Sequence, residues 1–256
     1  MNENTTDIKH IIAVASGKGG VGKSTTAVNL AFALAASGAQ VGILDADIYG
    51  PNVPKMLGIE DQKPEIKPPK RFVPIVAYGL SVMSLGLLMG PQTPMIWRGP
   101  MASKAVEQLL RDTEWPCLDY LILDLPPGTG DIHLTLVKKA ALRGAVIVTT
   151  PQAVALMDAR KGVEMFRKTA VPILGVVENM GPHTCTACGH QEAVFGGEGG
   201  QSISEAYKVP FLGSIPLDAR IPLHMERGLP LMQAEPDGTL GIAYQGIAKR
   251  IVDILS

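Results

Sequence analysis

Short apolar runs rich in β-branched residues alternate with stretches of helical period along this 256-residue chain. His10–Ser16 (HIIAVAS) is apolar at consecutive positions, as a strand covered on both faces must be, and Ser24–Ser37 (STTAVNLAFALAAS) predicts the helix that follows it. Further strands are predicted at Gln40–Asp47, Leu80–Leu85, Leu118–Leu125, Gly144–Thr150, Pro172–Val177 and Pro210–Ile215. Between them, Ala102–Leu110, Ile132–Leu142, Val154–Lys168 and Ile203–Tyr207 supply helices, and Leu240–Leu255 closes the chain at roughly helical spacing. Strand–helix alternation of this kind predicts an α/β fold, a doubly wound and mostly parallel sheet with helices on both faces. One domain is expected over 10–256, after a short polar tail at 1–9. Two stretches break the rhythm. Gln62–Pro74, with four prolines, reads as an exposed connection or flap, and Met180–Gln201 is Gly-rich with neither period.

Composition narrows the possibilities. A chain 46% hydrophobic and 18% charged is not disordered, and a formal net charge of −1 disfavours a general nucleic-acid binder. Three cysteines are too few for a disulfide scaffold. Met1–Lys9 lacks the apolar core of a secretory signal, and no run approaches the 18 apolar residues of a membrane span. The expectation is a soluble, cytoplasmic protein, with a processed mitochondrial matrix form as the alternative.

The strongest chemical signal is Gly17-Lys18-Gly19-Gly20-Val21-Gly22-Lys23-Ser24, placed directly after a strand and opening a helix. Glycines let successive backbone N–H groups turn inward onto phosphate oxygens, and the helix N-terminus adds its dipole. Lys23 then reaches the β- and γ-phosphates, the Ser24 hydroxyl ligates magnesium, and Thr25 completes the nucleotide-binding run. Lys18 is more than a P-loop needs. With it the sequence resembles the deviant Walker A class of P-loop ATPases, which includes the MinD, ParA, arsenite-pump and nitrogenase iron-protein families. That resemblance implies that Lys18 reaches the partner's phosphates across a nucleotide-sandwich homodimer; the plain alternative is a solvated loop lysine. It also implies that Asp47 lies in switch I and orients the attacking water. Asp124 matches the Walker B carboxylate that holds magnesium, and Pro126–Gly130 looks like switch II. Asn179 occupies the place where the class reads adenine, or is an ordinary loop asparagine. Asp45 is left open as a cap or strand-end hydrogen-bond acceptor.

Cys185-Thr186-Ala187-Cys188 lies in the second irregular stretch. Such a pair can chelate zinc, bind an iron–sulfur cluster or cycle as a disulfide. Two thiolates are half of a four-ligand site, so either His183 and His190 complete a zinc site within one chain, or a second subunit adds its own pair. Cys117, preceding a core strand, reads as a small buried hydrophobe.

The deviant Walker A run, Asp47–Pro54 (DIYGPNVP), Trp97-Arg98-Gly99-Pro100, Asp124–Asp131 (DLPPGTGD) and the late Cys-x-x-Cys together resemble the Mrp/ApbC family over nearly the whole chain. The resemblance implies an ATP-hydrolysing iron–sulfur cluster carrier, related to the mitochondrial carrier that serves respiratory complex I. It would hold a 4Fe–4S cluster between two subunits through Cys185 and Cys188. Its partners would be apo iron–sulfur proteins and the cluster assembly machinery. Many members carry a further small N-terminal domain, and cytosolic eukaryotic scaffolds an N-terminal cysteine cluster; with nine residues before the first predicted strand, neither is expected here. Two alternatives stand beside it. One is a MinD- or ParA-like positioning ATPase, whose membrane contact would fall on Ile242–Leu255; the other is a zinc-bridged dimeric ATPase.

Overall fold

A computed structural model describes residues 7–89 and 99–256. Its main sheet has eight strands: β1 (Ile8–Ala15), β2 (Val41–Asp45), β3 (Ile75–Ala77), β4 (Leu80–Ser84), β5 (Leu118–Asp124), β6 (Gly144–Thr149), β7 (Ile173–Gly181) and β8 (Phe211–Pro216). They lie in the order β8-β7-β6-β1-β5-β2-β4-β3. Every neighbouring pair is parallel except β3 with β4, which forms an antiparallel edge.

Alternation along the strands sorts side chains into two cores. Ile12 and Val14 of β1 join Ile43, Ile122 and Val146 in one; Ile11, Ala13 and Ala15 join Leu44, Leu121 and Ile147 in the other. Helix α1 (Lys23–Ala36) and the terminal helix α6 (Thr239–Leu255) cover the first face. Helices α2 (Gly99–Asp112), α3 (Asp131–Lys139), α4 (Ala153–Lys168) and α5 (Gly199–Tyr207) cover the second. Both faces are covered, so the strands need no polar side. This is the doubly wound α/β architecture expected, and its strand ends gather the functional loops at the carboxyl edge.

The elements differ from expectation where local geometry overrides pattern. The first strand begins at Ile8, inside the expected tail. β2 stops at Asp45: the Ala46 N–H still donates to the Asp124 carbonyl of β5 at 2.9 Å, but the Asp45 carboxylate turns back to accept the Asp47 backbone N–H at 3.0 Å, which takes Asp47 off the sheet. The stretch expected to be irregular from Met180 is partly ordered. β7 runs to Gly181, His183–Thr184 pairs antiparallel with Gln191–Glu192, and α5 begins at Gly199. The proline-rich stretch likewise holds a two-strand ribbon, Ile66–Lys67 against Arg71–Phe72. These pieces are too short to show a period.

Cys117 is exposed rather than a buried hydrophobe, because it lies in the bend just before β5 enters the core. α6 is no free membrane helix: Tyr244, Ile247 and Ile251 are buried against the sheet face, and among the described residues no helix is long and apolar enough to cross a membrane. Trp97 and Arg98 lie outside the described residues.

Candidate functional site

The site is built on the ends of three adjacent strands. Register sets Val14 of β1 beside Asp124 of β5, and Asp124 beside Asp45 of β2. Beyond β1 the chain forms Gly17–Gly22 and enters α1 at Lys23. Gly22 is left-handed at φ 82°, and an added Cβ would collide with the Asn179 side-chain nitrogen, so only glycine serves there. Gly17 is pressed against the backbone carbonyl of Asp158 in α4 and has no room for a side chain. No side chain caps α1 and no acidic residue lies in its first turn, which leaves a helix N-terminus suited to an anion.

Lys23 is buried and donates to Asp124 Oδ1 at 2.6 Å, with Ser24 Oγ at 3.1 Å and the Asp47 carboxylate at 4.0 Å. Asp124 Oδ2 is buried without a hydrogen-bond partner among the described residues. Asp45 accepts from the Asp47 and Val53 N–H groups and the Ser84 hydroxyl, which ties switch I to β4. Its open reading thus resolves to a strand-end acceptor. Burial foremost, and then the neighbouring Asp124 charge, push Asp45 up to about 8. Burial also raises Asp47, against the pull of Lys23. A pocket that crowds carboxylates in this way and leaves one carboxylate oxygen unpartnered fits a divalent cation, and Ser24, Asp47 and Asp124 are the residues that would hold it.

Switch II is attached to the same frame: the Gly128 N–H donates to the Ser16 carbonyl at 2.9 Å. Sequence reasoning missed His133, buried in α3 with Nε2 2.7 Å from the Pro126 carbonyl. Burial holds its imidazole below the ordinary range, so the neutral ring donates to that carbonyl. Lys18 is partly exposed, and its ammonium forms no ion pair among the described residues.

Asn179 lies near the end of β7, and its amide donates to the Val21 carbonyl at 2.9 Å. It faces a cavity of about 400 Å³ lined by Gly22, Thr25, His183, Val194 and Leu217. Glu178, also missed, is buried and accepts from the Gly200 N–H at 2.7 Å and the Ser214 hydroxyl at 3.2 Å, tying the first turn of α5 to β7.

The cysteines occupy the tip of the short hairpin that leaves this cavity. Cys185 N–H donates to the His190 carbonyl and Gly189 N–H to the Cys185 carbonyl, each at 2.9 Å. Backbone N–H groups of Cys188 and Ala187 aim at the Cys185 sulfur and lower its thiol below the ordinary range, which favours the thiolate. Cys188 is exposed. His183 Nδ1 is 2.9 Å from the Leu217 carbonyl, and the ring is near enough to Cys185 to act on its thiol. Among the described residues no three His, Cys, Asp or Glu side chains stand together as a ready metal site.

The family model described as ParA, the NUBPL iron-transfer P-loop NTPase, matches residues 7–252. An iron–sulfur cluster carrier protein of Salmonella typhimurium is 53% identical over 244 residues, 95% of this chain and 66% of the relative. One of Pseudomonas fragi is 56% identical over 243 residues, 94% of this chain and 85% of the relative. Among solved structures, a nucleotide-binding protein from Archaeoglobus fulgidus in complex with ADP superposes with a TM-score of 0.80 at 36% identity, covering 92% of each chain. The chain thus spans 66% of the length of the first of these relatives.

Proposed function

From the premise that this chain belongs to the ParA/NUBPL family of iron-transfer P-loop NTPases, we propose that it is an ATP-hydrolysing carrier of a 4Fe–4S cluster, held between two copies and passed to apo-proteins. One observation carries the reading. A Cys-x-x-Cys pair stands at an exposed hairpin tip, in a chain 53% and 56% identical to two iron–sulfur cluster carrier proteins. Two such tips supply the four thiolates a 4Fe–4S cluster takes. The cluster is cargo, and the nucleotide site drives its handling in the cytoplasm together with the assembly machinery.

Each residue of the nucleotide site has a distinct share of the work. ATP phosphates lie on the N–H groups of Gly19–Ser24, and the Lys23 ammonium turns from Asp124 toward the β- and γ-phosphates. Bound magnesium would neutralise phosphate charge. Ser24 Oγ, Asp47 and the unpartnered Asp124 Oδ2 are the groups that would hold it. Asp47, 4.0 Å from Lys23, orients the attacking water. Lys18, unpaired in its own chain among the described residues, is available to the partner's γ-phosphate, where it stabilises developing charge. Asn179 and the adjoining cavity receive the adenine base.

A positioning ATPase is the weaker reading, since it leaves the Cys185 and Cys188 pair without a role. Anaerobic reconstitution with iron and sulfide tests the proposal through iron and sulfide content per dimer and the visible charge-transfer band. Wild type should hold one cluster per dimer. Cys188→Ser, placed at an exposed tip, should fold and bind ATP but hold no cluster. One metal ion per chain, retained in Cys188→Ser, refutes the bridging site.

A further inference from the structure

The hairpin that carries the cysteines is also a wall of the base cavity. His183, the first residue of its first strand, and Val194, two residues past its second strand, line the same 400 Å³ space as Gly22 and Thr25 of the phosphate loop and α1. Beside them runs the segment after β8. His183 Nδ1 meets the Leu217 carbonyl at 2.9 Å, and the Leu217 N–H donates to the Gly181 carbonyl at 3.2 Å. The stem of the hairpin therefore hangs on the cavity floor. At this point the chain turns sharply, with Met180 in the left-handed region at φ 56°, a conformation uncommon outside glycine.

From stem to tip the connection is short. Cys185 follows His183 by two positions, about 7 Å of extended chain. The pairs His183 with Glu192 and Thr184 with Gln191, and the bond from Cys185 N–H to the His190 carbonyl, transmit any shift of the stem to the sulfur. A ribbon of two short strands is marginal on its own and takes its order from what its stem rests on. The hydrogen bonds that anchor 183–192 run to Leu217 and within the hairpin, and switch I and switch II are tied instead to β1 and β4.

We infer that the base end of the nucleotide, not its phosphates, sets the order of the cysteine hairpin. A purine between Gly22 and Asn179 on one side and His183, Val194 and Leu217 on the other fills the cavity and fixes the stem. In this way nucleotide binding and metal loading at Cys185 and Cys188 become linked. Linkage is reciprocal, so a hairpin ordered by metal binds the base more tightly by the same factor. The inference rests on the reading of this cavity as the base site.

Amide hydrogen exchange on the metal-free full chain tests it, with ADP and pyrophosphate as probes and calorimetry confirming that each saturates. ADP should slow exchange at the Cys185 and Gly189 amides by about five-fold or more, the low end of ordinary coupling between sites. Pyrophosphate, which occupies the phosphate loop without a base, should leave both unchanged. His183→Ala should bind ADP more weakly and, at an ADP concentration that calorimetry shows to saturate it, lose the protection; His183→Asn, whose amide nitrogen can stand in for Nδ1–H, should keep it. Equal protection by pyrophosphate overturns the inference, as does saturating ADP with no change at the hairpin or a His183→Ala protein protected like wild type. In each of those cases the nucleotide reading survives. A wild-type chain that binds no ADP overturns both.

Discussion

Lys23→Ala removes the ammonium that faces Asp124 at 2.6 Å and Asp47 at 4.0 Å, in a pocket where the three side chains are 6%, 0% and 11% exposed. Breaking a buried pair from one side costs about 3–5 kcal/mol, because the remaining charge is left where water cannot solvate it. In a chain of this size about 1 kcal/mol moves the melting temperature by about 2–4 °C, so a fall of roughly 10 °C is expected at pH 8.5. The loss carries a pH signature. Burial raises Asp45 to about 8 and also raises Asp47, while Lys23 lowers both. Without Lys23 both climb further, so the folded protein holds protons that the unfolded chain releases. The deficit is therefore largest at alkaline pH and shrinks as pH falls. Urea unfolding of nucleotide-free wild type, Lys23→Ala, Asp124→Asn and the double variant, at pH 5.5 and 8.5, measures it. The double variant should be more stable than the summed single losses predict, by about 0.5–3 kcal/mol. ATP affinity by calorimetry should fall about 10- to 150-fold in Lys23→Ala, the worth of a charge-assisted hydrogen bond at about 1.5–3 kcal/mol. Equal deficits at both pH values, or strictly additive losses, refute the counter-ion argument; unchanged ATP affinity refutes the P-loop assignment.

Lys18→Ala should bind ATP normally and hydrolyse it about 10³-fold more slowly, the low end for a charge supplied in trans; full turnover returns Lys18 to a solvated loop residue. Asp45→Asn should flatten the pH dependence of stability. The Asp45 carboxyl is raised to about 8, so its contribution is complete below about pH 4 and is lost at up to about 1.4 kcal/mol per pH unit as pH rises toward 8. Parallel unfolding curves for the variant and wild type across that window would sink the assignment. Gly22→Ala combines φ 82° with a clash on Asn179, and calorimetry should find nucleotide affinity lost in it while Gly38→Ala, a left-handed turn with open space around it, keeps affinity.

Much of this site was legible in the chain because P-loop chemistry is local. Gly17–Ser24 needs its residue types at fixed spacing between a strand and a helix, and apolar periodicity located both. The alternation of runs likewise predicted the layered sheet, since a strand covered on both faces has no polar side to show. The Cys-x-x-Cys was visible as a ligand pair, but its setting was not. Two-residue strands at His183–Thr184 and Gln191–Glu192 exist because of pairing with each other and the bond from His183 to Leu217, 34 residues on, and no local period records that. Register was equally out of reach: only the pairing of β2 and β5 sets Asp45 against Asp124, and burial, a property of the assembled layers, then raises Asp45. Cys117 went the other way, next to a core strand in sequence yet exposed in the bend before it. Sequence alone determined which groups are present and which neighbours along the chain they have. Tertiary structure decided which groups face each other out of reach of water; in a low-dielectric site that proximity makes Lys23 a counter-ion to Asp124, and a long-range hydrogen bond sets the cysteine hairpin against the cavity beside the phosphate loop.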